Sequence, residues 1–176
     1  MHELIALRRG EVELVTYLQG DRVIVRDRDG TATIEHRDGS FRYTPINHDV
    51  LGYGDVIARL RQEGKVSADG FIADADWFTA TIDHTFPDAP RRLWDAFHGE
   101  VINPPQLMLT VHDGYSAGDN GWRHFITMAS THGGLNQINS ATFLLSMTDR
   151  VTKPVRSREI IPTVEPGYEL PVRKRW

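Results

Sequence analysis

Three turn pairs, Gly20-Asp21, Asp29-Gly30 and Asp38-Gly39, recur at even intervals and separate four short runs rich in β-branched and aromatic residues. The runs are Glu13-Leu14-Val15-Thr16-Tyr17-Leu18, Arg22-Val23-Ile24-Val25-Arg26, Thr31-Ala32-Thr33-Ile34-Glu35 and Phe41-Arg42-Tyr43. Gly and Asp tolerate the backbone angles of tight turns, and runs this short suit strands rather than helices. The pattern therefore predicts an antiparallel β-meander over residues 1–46. Arg22, Ile24 and Arg26 alternate with apolar neighbours, as do Thr33 and Glu35, so one face is expected to meet a core and the other water.

Beyond Asn47 the period changes, which sets a second region at residues 47–176. Val56, Ile57 and Leu60 fall at helical spacing within Val50 to Glu63, and Gly64 follows as a stop. Asp74 or Asp76 is placed to cap a short helix through Trp77 and Phe78. Asp88 is placed to cap another through Leu93, Trp94 and Phe97, ended by Gly99. Trp77-Phe78 and Trp94-Phe97 read as core anchors. After Pro104-Pro105, the run Gln106 to Val111 reads as a buried strand, followed by a Gly-, Ser- and Asn-containing loop from Asp113 to Gly121. Phe125 to Met128 and Thr142 to Met147 are two more apolar runs, and Pro154, Pro162, Pro166 and Pro171 forbid a long terminal helix. The expected fold class is α/β with α+β character: an N-terminal antiparallel meander, then helices and a partial α/β core.

The chain of 176 residues carries a net charge of −4 and contains no cysteine. That balance offers no bulk attraction to nucleic acid or anionic lipid, and Arg173-Lys174-Arg175 before Trp176 reads as a solvated end. Disulfides, thiolate metal sites and a cysteine nucleophile are excluded. No run approaches the roughly 20 apolar residues that span a bilayer. The opening Met1-His2-Glu3-Leu4 lacks the basic and apolar regions of a signal peptide, so a soluble, cytoplasmic protein is expected.

Chemistry concentrates in Met128-Ala129-Ser130-Thr131-His132-Gly133-Gly134-Leu135. The glycines allow a sharp turn and close approach of a ligand, while the imidazole of His132 is a metal ligand or a general base. By spacing alone a His-Gly after a strand is also an ordinary hydrogen-bonded turn. His112 and Asp113 follow the strand ending at Val111, where α/β folds often place site residues, though a strand-capping imidazole is the plainer reading. His124, beside Trp122, flanks the same loop. Asp83-His84, His36, His48 and His98 suggest turns, a linker or a helix end. No Gly-rich phosphate loop, carboxylate pair or nucleophile triad is identifiable.

The succession of Thr131-His132-Gly133, the strand Phe143-Leu144-Leu145-Ser146 and Glu159-Ile160-Ile161-Pro162-Thr163 resembles the C-terminal end of the alkaline phosphatase superfamily. Its phosphodiesterase, nucleotide pyrophosphatase and sulfatase-like branches are the nearest in pattern, and the resemblance covers about residues 105 to 171. It implies that His132 is one ligand of a two-metal centre, normally zinc; Thr131 and Gly133 beside it, and His112, Asp113 and His124 by their place around the loop, are the candidate pocket residues. It further implies a small phosphate or sulfate ester as substrate. The family's nucleophile, its Asp-x-x-x-His pair and its Asp-His pair on a strand are not identifiable here; Asp83-His84 has the letters of the last but lacks the preceding apolar strand and the following glycine. The expected function is thus the C-terminal portion of a metal-dependent ester hydrolase, inactive alone and completed by a missing N-terminal half or by a second copy. The alternative is a stand-alone, non-catalytic binding module.

Overall fold

The computed structural model describes residues 10–99, 102–113, 115, 134–143 and 153–160. Residues 1–140 form one compact unit and residues 141–176 another. The first unit is built on a six-stranded sheet in the order β5-β4-β3-β2-β1-β6. Its strands are β1 (Val12–Gln19), β2 (Arg22–Arg26), β3 (Thr31–Arg37), β4 (Ser40–Pro45), β5 (Ile72–Ala73) and β6 (Leu107–Val111). Every pairing is antiparallel. The fold is mixed α/β with an N-terminal meander, as the turn spacing predicts. The sheet takes strands from both sides of residue 47.

The turns differ in how they work. Asp38 and Gly39 have φ of 49° and 71°, both positive, which is the backbone twist that a two-residue hairpin between right-twisted strands requires. Gly20 has φ 61° at the first central position of the β1–β2 turn. The Asp29-Gly30 pair does not act as a two-residue turn. Residues 27–30 form a longer connection in which the Asp27 carboxylate accepts from the backbone N–H of Asp29 (2.8 Å) and Gly30 (2.6 Å). Gly30 is required by space, because a Cβ there would lie 2.3 Å from the Cβ of His48.

One sheet face carries Leu14, Val23, Val25, Ala32, Ile34, Phe41 and Tyr43, and it meets the helices. These are α1 (Gly54–Gln62), α2 (Asp74–Thr81) and α3 (Ala89–His98), which contribute Val56, Leu60, Trp77, Leu93 and Phe97 to the same core. Helix α1 is shorter than the expected Val50 to Glu63. Residues before it are held in a turn by Asp49, whose carboxylate accepts from Tyr43 Oη (2.8 Å) and the N–H of Gly54 (2.7 Å). Ala73, rather than an aspartate, precedes α2. Asp74 instead pairs with Arg91 (3.2 Å) and Asp76 with Lys65 (3.2 Å), which leaves their carboxylates on side-chain partners. Asp88 does precede α3 and Gly99 ends it. Trp77 is fully buried and donates from Nε1 to the Phe41 carbonyl (3.0 Å), tying α2 to the sheet. Phe97 is buried as well, whereas Phe78 and Trp94 are only half-buried.

The second sheet face is not simply a water face. Val15, Ile24 and Thr33 lie on it and are buried. Around them Glu35 bridges Arg22 (3.0 Å) and Arg42 (2.6 Å) across three strands, and Arg37 and Arg42 both lie over the Phe71 ring. Strand β6 departs from expectation too. It sits at the sheet edge against β1, and its Leu107 and Leu109 remain 45% and 49% exposed. A short apolar run suggested a buried strand, but β6 packs only one face on the core, through Met108. Among the described residues, no helix is long and apolar enough to cross a membrane.

In the second unit the described residues include a single 3-10 turn, Ser157–Glu159. Glu159, expected as the acidic member of the Ile-Ile-Pro-Thr segment, closes on Arg156: Oε1 lies 3.3 Å from Nη1 and Oε2 accepts from the Arg156 N–H at 3.4 Å.

Candidate functional site

Polar groups gather where β6 ends. The β1–β6 register runs Tyr17 to Leu107, Thr16 to Met108, Val15 to Leu109 and Leu14 to Thr110, then jumps to Val12 opposite Val111. Two steps along β1 thus match one along β6, and the extra residue is Glu13. A bulge of this kind takes a residue out of the strict alternation and re-aims its side chain. Pairing nevertheless persists beyond it, since the His112 N–H donates to the Glu11 carbonyl (3.0 Å). Glu13 and His112 are thereby held side by side, with Glu13 Oε1 4.0 Å from His112 Nδ1.

The environments of the two side chains differ. The Glu13 side chain is 15% exposed and that of His112 is 52% exposed. Glu13 Oε2 is buried with no hydrogen-bond partner among the described residues. Burial pushes the Glu13 carboxyl above its ordinary range; the His112 imidazole opposes that shift and the Asp113 carboxylate adds to it. A buried carboxylate oxygen without a donor is costly, and such atoms in folded proteins ask for an explanation.

Asp113 follows in the chain and accepts from Asn136 Nδ2 (3.2 Å). Asn136 is buried, and its own carbonyl oxygen accepts from Asn139 Nδ2 (2.7 Å) and the Asn139 N–H (3.1 Å). Residues 134–140 are anchored to the helical side. Leu135 enters the core, Arg92 of α3 donates to the carbonyls of Leu135 (2.8 Å) and Gly134 (3.3 Å), and the Gln137 N–H donates to the Thr85 carbonyl (2.8 Å). Gly134 lets the Asn139 side chain approach closely: a Cβ there would lie 2.8 Å from Asn139 Nδ2, and the amide would have to shift. The helix that follows, α4 (Gln137–Ser140), is a single turn.

Of the residues singled out in the sequence, His112 and Asp113 are brought together with Glu13 and Asn136. Thr131, His132, Gly133 and His124 lie outside the described residues. His84 belongs to a different place: its Nδ1 accepts from the Phe86 N–H (3.2 Å), its Nε2 donates to the Gly52 carbonyl (3.2 Å), and its ring packs on Tyr53. With both nitrogens engaged by backbone, it is a structural residue. His36 packs between Phe41 and Trp94, and His98 stacks on Trp94 at the end of α3. His48 lies 3.5 Å from the Asp27 carboxylate. Glu13 and Asn136 were not indicated by the sequence. The available signal for Glu13 was a charged residue sharing strand parity with Val15 and Tyr17, which is equally what a half-solvated strand shows.

A zinc ion takes about four N, O or S donors at roughly 2.0–2.3 Å. Among the described residues, no group of three or more His, Asp or Glu side chains is arranged to hold one. Glu13 and His112 supply two donors of suitable chemistry, which is short of a centre, so the described residues alone do not fit a zinc pair.

Compared with protein-family models, with curated proteins and with solved structures, the chain finds no match.

Proposed function

We propose that this chain is the C-terminal portion of a metal-dependent hydrolase of small phosphate or sulfate esters. In this reading His132 supplies one metal ligand, and His112 and Asp113 line the same pocket. The supporting observation is the Asp113–Asn136 hydrogen bond at 3.2 Å. It draws the end of β6 and the residues just after Thr131-His132-Gly133 to one spot, with Glu13 and His112 beside it. The anchoring of Leu135 in the core and of its carbonyl on Arg92 gives a short, rigid lead into that spot. Rigid support is what a ligand-bearing turn needs, since a loosely held imidazole loses affinity for its ion.

The chain taken alone is proposed to be inactive. Zinc titration followed by calorimetry tests the reading. Weak binding of the ion is expected, and the His132→Ala substitution abolishes it. Binding that is tight and indifferent to that change overturns the assignment. So does ester hydrolysis by the chain alone that persists in the His132→Ala protein.

A further inference from the structure

The Glu13–His112 pair carries an inference that deepens this reading. A neutral imidazole places its one proton on Nδ1 or Nε2, and the partner of one nitrogen decides the state of the other. Here Nδ1 lies 4.0 Å from Glu13 Oε1, an ion-pair distance rather than a hydrogen bond. Among the described residues the ring has no hydrogen-bond partner. The carboxylate of the next residue, Asp113, accepts from the Asn136 amide. Glu13 itself is fixed by the bulge and by burial, and its other oxygen has no donor among the described residues. A carboxylate held so close to Nδ1 favours the tautomer that puts the proton between them.

We propose that Glu13 is a positioning residue that sets His112 in its Nδ1–H tautomer, leaving the Nε2 lone pair bare as a proton acceptor at the open end of β6. The half-exposed ring gives that nitrogen access to water or to a hydroxyl of a bound ligand. The use of the lone pair in ester hydrolysis rests on the reading above, whereas the tautomer does not. The buried oxygen of Glu13 acquires a reason to be there: an inward carboxylate costs stability, and its benefit is the orientation of a neighbour.

Imidazole nitrogen spectroscopy on the full chain, labelled with nitrogen-15 at histidine, tests the assignment at pH 8. His112 resonances are identified by their loss in His112→Gln. In the wild-type protein, Nδ1 is expected to appear protonated and Nε2 unprotonated. Glu13→Gln keeps the shape but replaces a charged acceptor by a neutral one, and the ratio of Nδ1–H to Nε2–H forms is expected to fall about fivefold. Glu13→Leu is expected to reverse the preference, with circular dichroism confirming its fold. An Nε2–H tautomer in the wild type overturns the proposal, as does an unchanged ratio in Glu13→Gln. The wild-type and Gln spectra decide the matter even where the Leu variant does not fold. The expected spectra with zinc binding indifferent to His132→Ala would leave Glu13 in its role and remove the hydrolase reading. The opposite pair of results would remove Glu13 and leave that reading standing.

Discussion

Two polar regions of the first unit use similar residues to different ends. Beneath the sheet, Tyr43, Asp49, Tyr53, Trp77 and Thr81 form a network in which each named polar group has a partner. Tyr53 Oη donates to the Phe86 carbonyl and accepts from the Ala89 N–H (3.4 Å). Tyr43 Oη accepts from the Leu51 N–H (2.9 Å) and donates to Asp49. Thr81 Oγ1 donates to the Trp77 carbonyl (2.7 Å) and accepts from the Asp88 N–H (2.9 Å). Burial pushes both tyrosine hydroxyls far above their ordinary pKa, which keeps them neutral hydrogen-bonding groups. At the end of β6, by contrast, a carboxylate oxygen is buried with no donor among the described residues. A satisfied network specifies a fold, and an unsatisfied group marks a place where fold stability is not the only demand.

The largest loss of stability is expected in the satisfied network. Trp77→Ala empties the largest fully buried side chain among the described residues and removes the indole donor to the Phe41 carbonyl. It is expected to cost about 3–5 kcal/mol in urea unfolding. A loss below about 1 kcal/mol would mean that α2 is not part of the cooperative core. Tyr53→Phe removes one hydroxyl that serves two backbone groups on the segment entering α3. A loss of about 1–3 kcal/mol is expected from the unpaired Phe86 carbonyl, with the His112 tautomer untouched. A change at His112 in that variant would show that the two regions are coupled.

The smallest effect, and the one of opposite sign, belongs to Glu13. Its folded-state pKa is raised, so the folded protein binds the proton more tightly than the unfolded chain does. The favourable contribution is therefore full below the unfolded pKa and fades as pH rises through the folded one. Glu13→Gln is expected to remove this dependence: the variant gains on the wild type between mildly acidic and neutral pH. Thermal unfolding across that range reads it. A wild type that instead gains on the variant as pH rises would place Glu13 among the stabilising residues and erase the contrast.

The sequence disclosed the parts governed by local chemistry. Asp38-Gly39 forms the turn its letters demand, and Gly99 ends α3. What it concealed depended on residues far apart. The run Leu107 to Val111 is apolar at four of its five positions, and period alone cannot separate a central strand from an edge strand. Asp74 and Asp76 suit a helix cap by type, but the distant cations Arg91 and Lys65 claimed them. The bulge at Glu13 arises from a mismatch of register between strands separated by most of the unit. No window around Glu13 contains that information. The pairing of Asp113 with Asn136 was hidden for the same reason, though His112 and Asp113 themselves were indicated by their place after a strand.

The sheet order also has a kinetic side. Strands β1 to β4 each lie beside their sequence neighbour across short turns, so the meander can grow by adding hairpins, and β5 joins β4 after the segment that carries α1. Strand β6 is the exception, returning to β1 from the far end of the unit, and ordering that long excursion carries the greatest entropic cost of any pairing in the sheet. Its docking is expected to come last. Glu13 and His112 become neighbours only through that step, so a nascent or half-folded chain holds the carboxylate and the imidazole apart until the rest of the sheet is built.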